Sequence, residues 1–133
     1  MILVDSSVLI DVIEARPEWK HWSAAQLTKH SASDGLAINI MVFAEISRTF
    51  TNVELQNRFL REAAIKVVPM PNEAAFIAAR AHLAYRAAGG SRTSTLPDFF
   101  IGAHADVNGY TLLTRDPSRI RHYFPNVLLI TPE

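Results

Sequence analysis

The chain has no cysteine among its 133 residues. That excludes disulfides, thiolate chemistry and cysteine-ligated zinc, and makes a reducing cytoplasm the expected setting. It also has no excess charge, because 13 Lys and Arg offset 13 Asp and Glu to a formal net charge of +0. Global electrostatics therefore do not draw it onto nucleic acid or an anionic membrane, and any polyanion site has to be local. Long hydrophobic runs are missing too. The most apolar stretch, residues 36–44, is broken by Asn39 and is far shorter than the ~20 residues that cross a bilayer. The opening Met1-Ile-Leu-Val-Asp5 has no basic stretch and soon reaches an acid, so it reads as a buried strand and not as a targeting signal. A soluble protein with no membrane partner is expected. Repeats, Gly/Ser tracts and single-sign charge blocks are likewise absent, so nothing marks a linker or a disordered tail.

What is present is an apolar fraction of 49% and a charged fraction of 20%, the balance of a folded domain. The length suits a single domain over residues 1–133, with one core. Short, β-branched-rich apolar runs at 2–4, 36–38, 66–68, 111–114 and 127–130 predict buried strands, since strands covered on both faces are apolar at successive positions. Helix-period segments at 7–14, 18–30, 41–50, 54–64, 72–88 and 97–108 lie between most of them. This alternation predicts an α/β fold in three layers, a central parallel sheet of about five strands flanked by helices. Pro17 opens a helix, Gly89-Gly90 ends one, Thr95 and Pro97 start the next, and Gly109 stops it. The Gly/Ser/Thr-rich stretch 89–95 leads directly into Asp98.

In such a sheet, strand ends and helix beginnings share one rim, and ligands collect there. Asp5 closes the first strand, Asp116 follows the fourth, Asp98 sits in the first turn of its helix, and Glu45 lies about a turn into the helix after the second strand. All four acids map to that rim. The remaining acids do not: Asp11 and Glu14 fall far down the first helix, Asp106 near a helix end, and Glu54, Glu62 and Glu73 on exposed faces. Clustered carboxylates repel and raise one another's pKa values, an objection that a bound cation removes. All-oxygen ligands suit Mg²⁺ or Mn²⁺, and such ions support phosphodiester hydrolysis. Each acid also has a simpler reading. Asp5 and Asp116 have the form of helix caps, Thr95-Leu-Pro-Asp98 is close to a capping box, and Glu45 can pair with Arg48. Only the joint pattern argues for a site.

The five histidines are scattered without metal-ligand spacing, and His104, about 240° around its helix from Asp98, reads as structural. Trp19 and Trp22 read as core or subunit-contact residues. Arg115 and Arg119 beside Asp116, and Arg92 before Asp98, are candidate phosphate contacts, with an ordinary solvated face as the other reading.

Four pieces, in this order, resemble the PIN-domain family, most closely the VapC-type toxins of bacterial type II toxin-antitoxin systems. They are Ile2-Leu-Val-Asp5-Ser-Ser-Val-Leu-Ile-Asp11, Phe43-Ala-Glu45-Ile46, Leu96-Pro-Asp98-Phe-Phe-Ile-Gly-Ala-His-Ala105, and Leu112-Leu-Thr-Arg-Asp116 with the later Tyr123-Phe-Pro125. The resemblance spans essentially the whole chain. It implies a PIN-like fold, a metal-binding and catalytic quartet of Asp5, Glu45, Asp98 and Asp116, and supporting hydroxyls at Ser7 and Thr114. It further implies Mg²⁺- or Mn²⁺-dependent endoribonuclease activity, a homodimer, and a cognate antitoxin whose C-terminal segment blocks the site. Two other functions remain in view. An inactive PIN-like module would only bind a protein or RNA. A phosphotransfer enzyme using an aspartyl phosphate fits less well, because Ser7 stands where a phosphatase would carry its second acid, and Lys20, Lys29 and Lys66 are far from the rim.

Overall fold

Ile2-Leu3-Val4 and Leu36-Ala37-Ile38 are buried at every position, as strands sandwiched between helix layers must be. They are β1 (Ile2–Val4) and β2 (Leu36–Ile38), and with β3 (Ile65–Val67), β4 (Thr111–Leu113) and β5 (Leu129–Ile130) they form one parallel sheet. The computed structural model describes residues 1–90 and 96–132. Among the described residues the covering helices are α1 (Ser6–Ile13), α2 (Lys20–Ser33), α3 (Ile40–Ile46), α4 (Val53–Glu62), α5 (Asn72–Ala87), α6 (Leu96–Asn108) and α7 (Ser118–Tyr123). None is long and apolar enough to cross a membrane.

Strand order is β3-β2-β1-β4-β5. The chain winds outward from β1 through β2 to β3, then returns to the other side of β1 for β4 and β5. The winding direction thus reverses between β1 and β4, and the ends of those two strands leave a crevice where helices depart to opposite sides. Register brings the ends together: Val4 pairs with Leu113, and the Asp5 N–H donates to the Leu113 carbonyl at 2.9 Å. Asp5 and Thr114 therefore leave the sheet side by side.

The expected α/β architecture is present, with three local corrections. The third strand lies one residue earlier than expected, at Ile65–Val67, and only Ile65 in it is buried. An edge strand packs on fewer neighbours, so its apolar pattern locates it less sharply. The helix expected over residues 41–50 ends at Ile46 and tightens into a 3₁₀ turn at Ser47–Thr49. There the hydroxyls of Ser47 and Thr49 donate to the carbonyls of Phe43 and Ile46 at 2.7 and 2.6 Å, competing with the helical ladder. The seventh helix, α7, lies outside the six helix-period segments. It occupies the basic stretch after Asp116, with Pro117 at its N-cap, so Asp116 does not cap it. Gly109 does stop α6. Its φ of +66° is a left-handed conformation that glycine adopts at low cost, and it lets the Tyr110 N–H reach back to the Ala105 carbonyl at 2.9 Å.

The core runs along both sheet faces, through Leu3, Val8, Leu9, Ile38, Val42, Ile46, Phe99, Ile101 and Leu112. One glycine sets how closely α6 and α7 approach. A Cβ on Gly102 would meet the Phe124 ring at 2.5 Å and Ile120 Cδ1 at 2.9 Å. Overpacking of this kind costs about 1–3 kcal/mol, offset in part by roughly 1 kcal/mol of helix propensity. Gly102→Ala is expected to lower the Tm by several degrees in thermal denaturation, and a variant melting at or above wild type would contradict so tight a contact.

Candidate active site

Asp5 occupies the N-cap position of α1, with φ −75° and ψ 149°, yet its side chain makes no capping hydrogen bond. The simple cap reading fails there. Its Oδ2 instead accepts hydrogen bonds from Ser7 Oγ and Thr114 Oγ1, each at 2.8 Å. Both hydroxyls also serve as acceptors: the Asp116 N–H donates to Thr114 Oγ1 at 3.0 Å, and the Arg115 N–H reaches Ser7 Oγ at 3.4 Å. A hydroxyl can donate once and accept twice, so each links the backbone after β4 to the carboxylate that ends β1.

Asp98 stands in the first turn of α6, where the helix dipole favours a negative charge. Its Oδ2 takes a hydrogen bond from Arg119 Nη1 at 2.7 Å, and the same guanidinium lies over the Tyr85 ring at 5.5 Å. Glu45 projects from α3, whose N-terminus Asn39 caps by accepting the Val42 N–H at 3.1 Å. The Ser6 hydroxyl supports one side of the Glu45 carboxyl, while Oε1 is buried without a partner.

The acids act on one another. Burial pushes the Asp5 pKa up, opposed by the Ser7 and Thr114 hydroxyls and the Ser6 N–H and reinforced by repulsion from Asp116. Burial likewise raises Glu45, against the Ser6 hydroxyl and with added repulsion from Asp5 and Asp98. Asp98 rises to about 6, through burial first and then the charge of Asp5, with Arg119 opposing. Three carboxyls on three different elements are thus held in a form that resists full ionisation.

A small cleft opens between Asp5 and Asp98, lined also by Thr114, Asp116 and Arg119 over an apolar floor that includes Ile101 and Leu112. Glu45 is not on that lining; it is coupled to the cluster through Asp5 and Asp98. Among the described residues no three acidic or histidine side chains already form a finished ligand group. The donor set nonetheless fits a hard divalent cation. It is all oxygen, one buried carboxylate oxygen lacks a partner, and the mutual repulsion is of the kind a cation relieves.

Not every candidate lies at this cleft. Arg115, a candidate phosphate contact, has its guanidinium closed on Asp11, with Nε to Oδ2 at 2.7 Å and Nη2 to Oδ1 at 3.1 Å. Asp11, set aside in the sequence as a residue far down the first helix, is fully buried at 0% exposure. Its signal was available: an acid inside the apolar run Val8-Leu-Ile-Asp11-Val-Ile13 needs a cationic partner when that helix is buried. His104 is buried away from the acids, its Nδ1 3.2 Å from Asn39 Nδ2. Trp19 lies over the Arg115 guanidinium at 5.3 Å and edge-on to Trp22. Arg92 and the Thr95 cap fall outside the described residues.

With this geometry in view, comparison with known proteins is informative. A family model described as PIN domain matches residues 2–124. The chain belongs to the PIN-domain family. No curated protein matches it significantly in sequence, but solved structures share the fold. VapBC2 from Rickettsia felis, bound to a DNA fragment from their promoter, matches over 100% of both chains with a TM-score of 0.73 at 18% identity. FitAcB from Neisseria gonorrhoeae matches over 99% of this chain and 98% of its own, with a TM-score of 0.68 at 21% identity. VapBC-1 from nontypeable Haemophilus influenzae matches over 98% of each chain, with a TM-score of 0.70 at 16% identity. The PIN domain described here therefore shares with them its sheet and helix layers along nearly its full length.

The raised pKa of Asp98 has a measurable consequence. A carboxyl whose folded pKa lies above its ordinary 3.8 favours the fold only while protonated, so its contribution is complete at low pH and is lost as the pH rises through about 6. In EDTA, Asp98→Asn is expected to melt a few degrees above wild type at pH 8. That gain should close as the pH falls through about 6 towards 3.8. A pH-independent difference in Tm, or a variant less stable at pH 8, would contradict the electrostatic strain.

Proposed function

We propose that this PIN domain is a metal-dependent endoribonuclease and the toxin member of a toxin-antitoxin pair. The observation that carries this reading is the convergence of Asp5, Asp98 and Asp116 on one cleft at the reversal of strand order, with the Glu45 carboxyl coupled behind them.

Asp5, Asp98 and Asp116 would hold Mg²⁺ or Mn²⁺, with Glu45 completing the site directly or through water. Such an ion supplies charge stabilisation and lowers the pKa of a water for attack on a phosphodiester. The protein's own part is to hold the carboxylates in place. Ser7 and Thr114 orient Asp5 so that its position does not depend on the ligand. Arg119 opposes the upward shift of the Asp98 pKa, and it lines the same cleft, where a substrate phosphate could take over the guanidinium. The apolar floor limits water and strengthens each charge interaction above it. Single-stranded or looped RNA is the expected substrate, since its backbone and bases are open to a shallow cleft. The structural relatives include a VapBC assembly bound to promoter DNA, which supports a cognate antitoxin as the partner here. A homodimer, and action in the cytoplasm, complete the reading.

A second reading, a binding module without catalysis, draws on the Arg119–Asp98 pair, which already satisfies one acid without a metal. One experiment separates the two. Purified protein free of any partner is incubated with single-stranded and structured RNAs in Mg²⁺ or Mn²⁺, beside Asp5→Asn and Asp98→Ala. The nuclease reading expects wild-type cleavage that EDTA stops and that each substitution lowers by about 100-fold or more, the scale of losing several kcal/mol of transition-state stabilisation. Cleavage that survives both substitutions would remove this site from the chemistry, and folded wild type that cuts nothing would favour the binding module.

A further inference from the structure

Asp116 is exposed and belongs to no helix or strand: β4 ends at Leu113 and α7 begins at Ser118. Its place in the acid cluster depends on what anchors segment 114–116. Near the sheet, that anchor is the hydroxyl pair on Asp5, to which the backbone of Arg115 and Asp116 is bonded. Further down α1 there is a second one. The fully buried Asp11 takes both Arg115 Nε and Nη2, and its Oδ2 also accepts from Ser23 Oγ of α2 at 2.8 Å. The ring of Trp19, at the N-cap of α2, stacks against the guanidinium at 5.3 Å. Asp11, Ser23, Trp19 and Arg115 are all absent from the lining of the acid cleft.

A buried ion pair often adds little net stability over well-packed apolar residues, because desolvating two charges offsets most of their attraction. Its clearest physical effect is on geometry. A bidentate guanidinium–carboxylate contact restricts direction as well as distance, which a lysine in the same place would not do. Here the arginine so restricted is the residue immediately before Asp116. We propose that the Asp11–Arg115 pair is a positioning latch that fixes where Asp116 stands relative to Asp5 and Asp98, and so sets the affinity of the cluster for a divalent cation. The inference rests on the metal-dependent reading above. Arg115 is thereby a positioning residue and not a contact to RNA phosphate.

The test uses full-length Arg115→Lys and Arg115→Ala, with Asp11→Asn as a third variant, at a temperature where circular dichroism shows each folded. Mn²⁺ alone is titrated by calorimetry, and RNA cleavage is followed in parallel. The expected result is a fall in Mn²⁺ affinity of about 10-fold or more, the scale seen when a group supporting a metal ligand is lost. Arg115→Lys should be intermediate, with kcat falling alongside and KM for RNA within about twofold of wild type. The metal-free Tm of Arg115→Ala should drop by roughly 10 °C, as breaking a buried pair implies. If Asp11→Asn does not fold, Arg115→Lys alone decides. A lower Tm with wild-type Mn²⁺ affinity and kcat would reduce the pair to a stabilising contact and overturn the proposal. A rise in KM alone would overturn it in favour of phosphate binding. Wild type that neither binds Mn²⁺ nor cuts RNA would overturn the nuclease reading and this inference together, whereas active wild type with indistinguishable variants overturns only the latch.

Discussion

Carboxylates crowded at one end of a buried sheet oppose one another's ionisation, and much of the surrounding structure answers that constraint. Asp5 joins β1 to α1, Glu45 lies on α3 and Asp98 on α6, and each is raised by burial and by the charge of at least one other acid. Two hydroxyls and a backbone N–H offset the cost at Asp5, a serine does so at Glu45, and an arginine does so at Asp98. None of these removes the repulsion. A cluster of this kind, kept together by the fold against its own electrostatics, is suited to a ligand that brings positive charge.

The supports are also connective. Ser7 and Thr114 join the end of β1 to the loop after β4, and Arg115 joins that loop to the buried face of α1 and, through Ser23, to α2. Asp116, which has no regular element of its own, is thus held by neighbours on both sides. Arg119 plays a related part from α7. The close approach of that helix to α6, permitted by the missing Cβ at Gly102, brings the guanidinium to Asp98. Arginine suits both positions because its planar fork pairs with a carboxylate in a defined direction. The family resemblance extends over nearly the whole chain although sequence identity to the structural relatives is only 16–21%. A fold of this kind tolerates exchange of core residues for apolar ones of similar volume.

The sequence by itself determined the alternation of strands and helices and pointed to four acids at one rim, three of which line the cleft. Apolar runs such as Ile2-Leu-Val4 and Leu36-Ala-Ile38, short and β-branched-rich, read as buried strands, and in a parallel sheet their ends share a side. It could not determine strand order, because periodicity reports which face a residue belongs to and not which strand lies alongside. Only the tertiary structure placed β4 beside β1, and with it Thr114 and Asp116 beside Asp5. The same limit hid the role of Asp11. Its pairing with Arg115 spans 104 positions, and such a contact is decided by how α1 packs beneath the β4–α7 loop, not by either residue's local pattern. Short-range chemistry was legible in the chain because neighbours in sequence are neighbours in space; the partners of its charges were settled only where distant elements met.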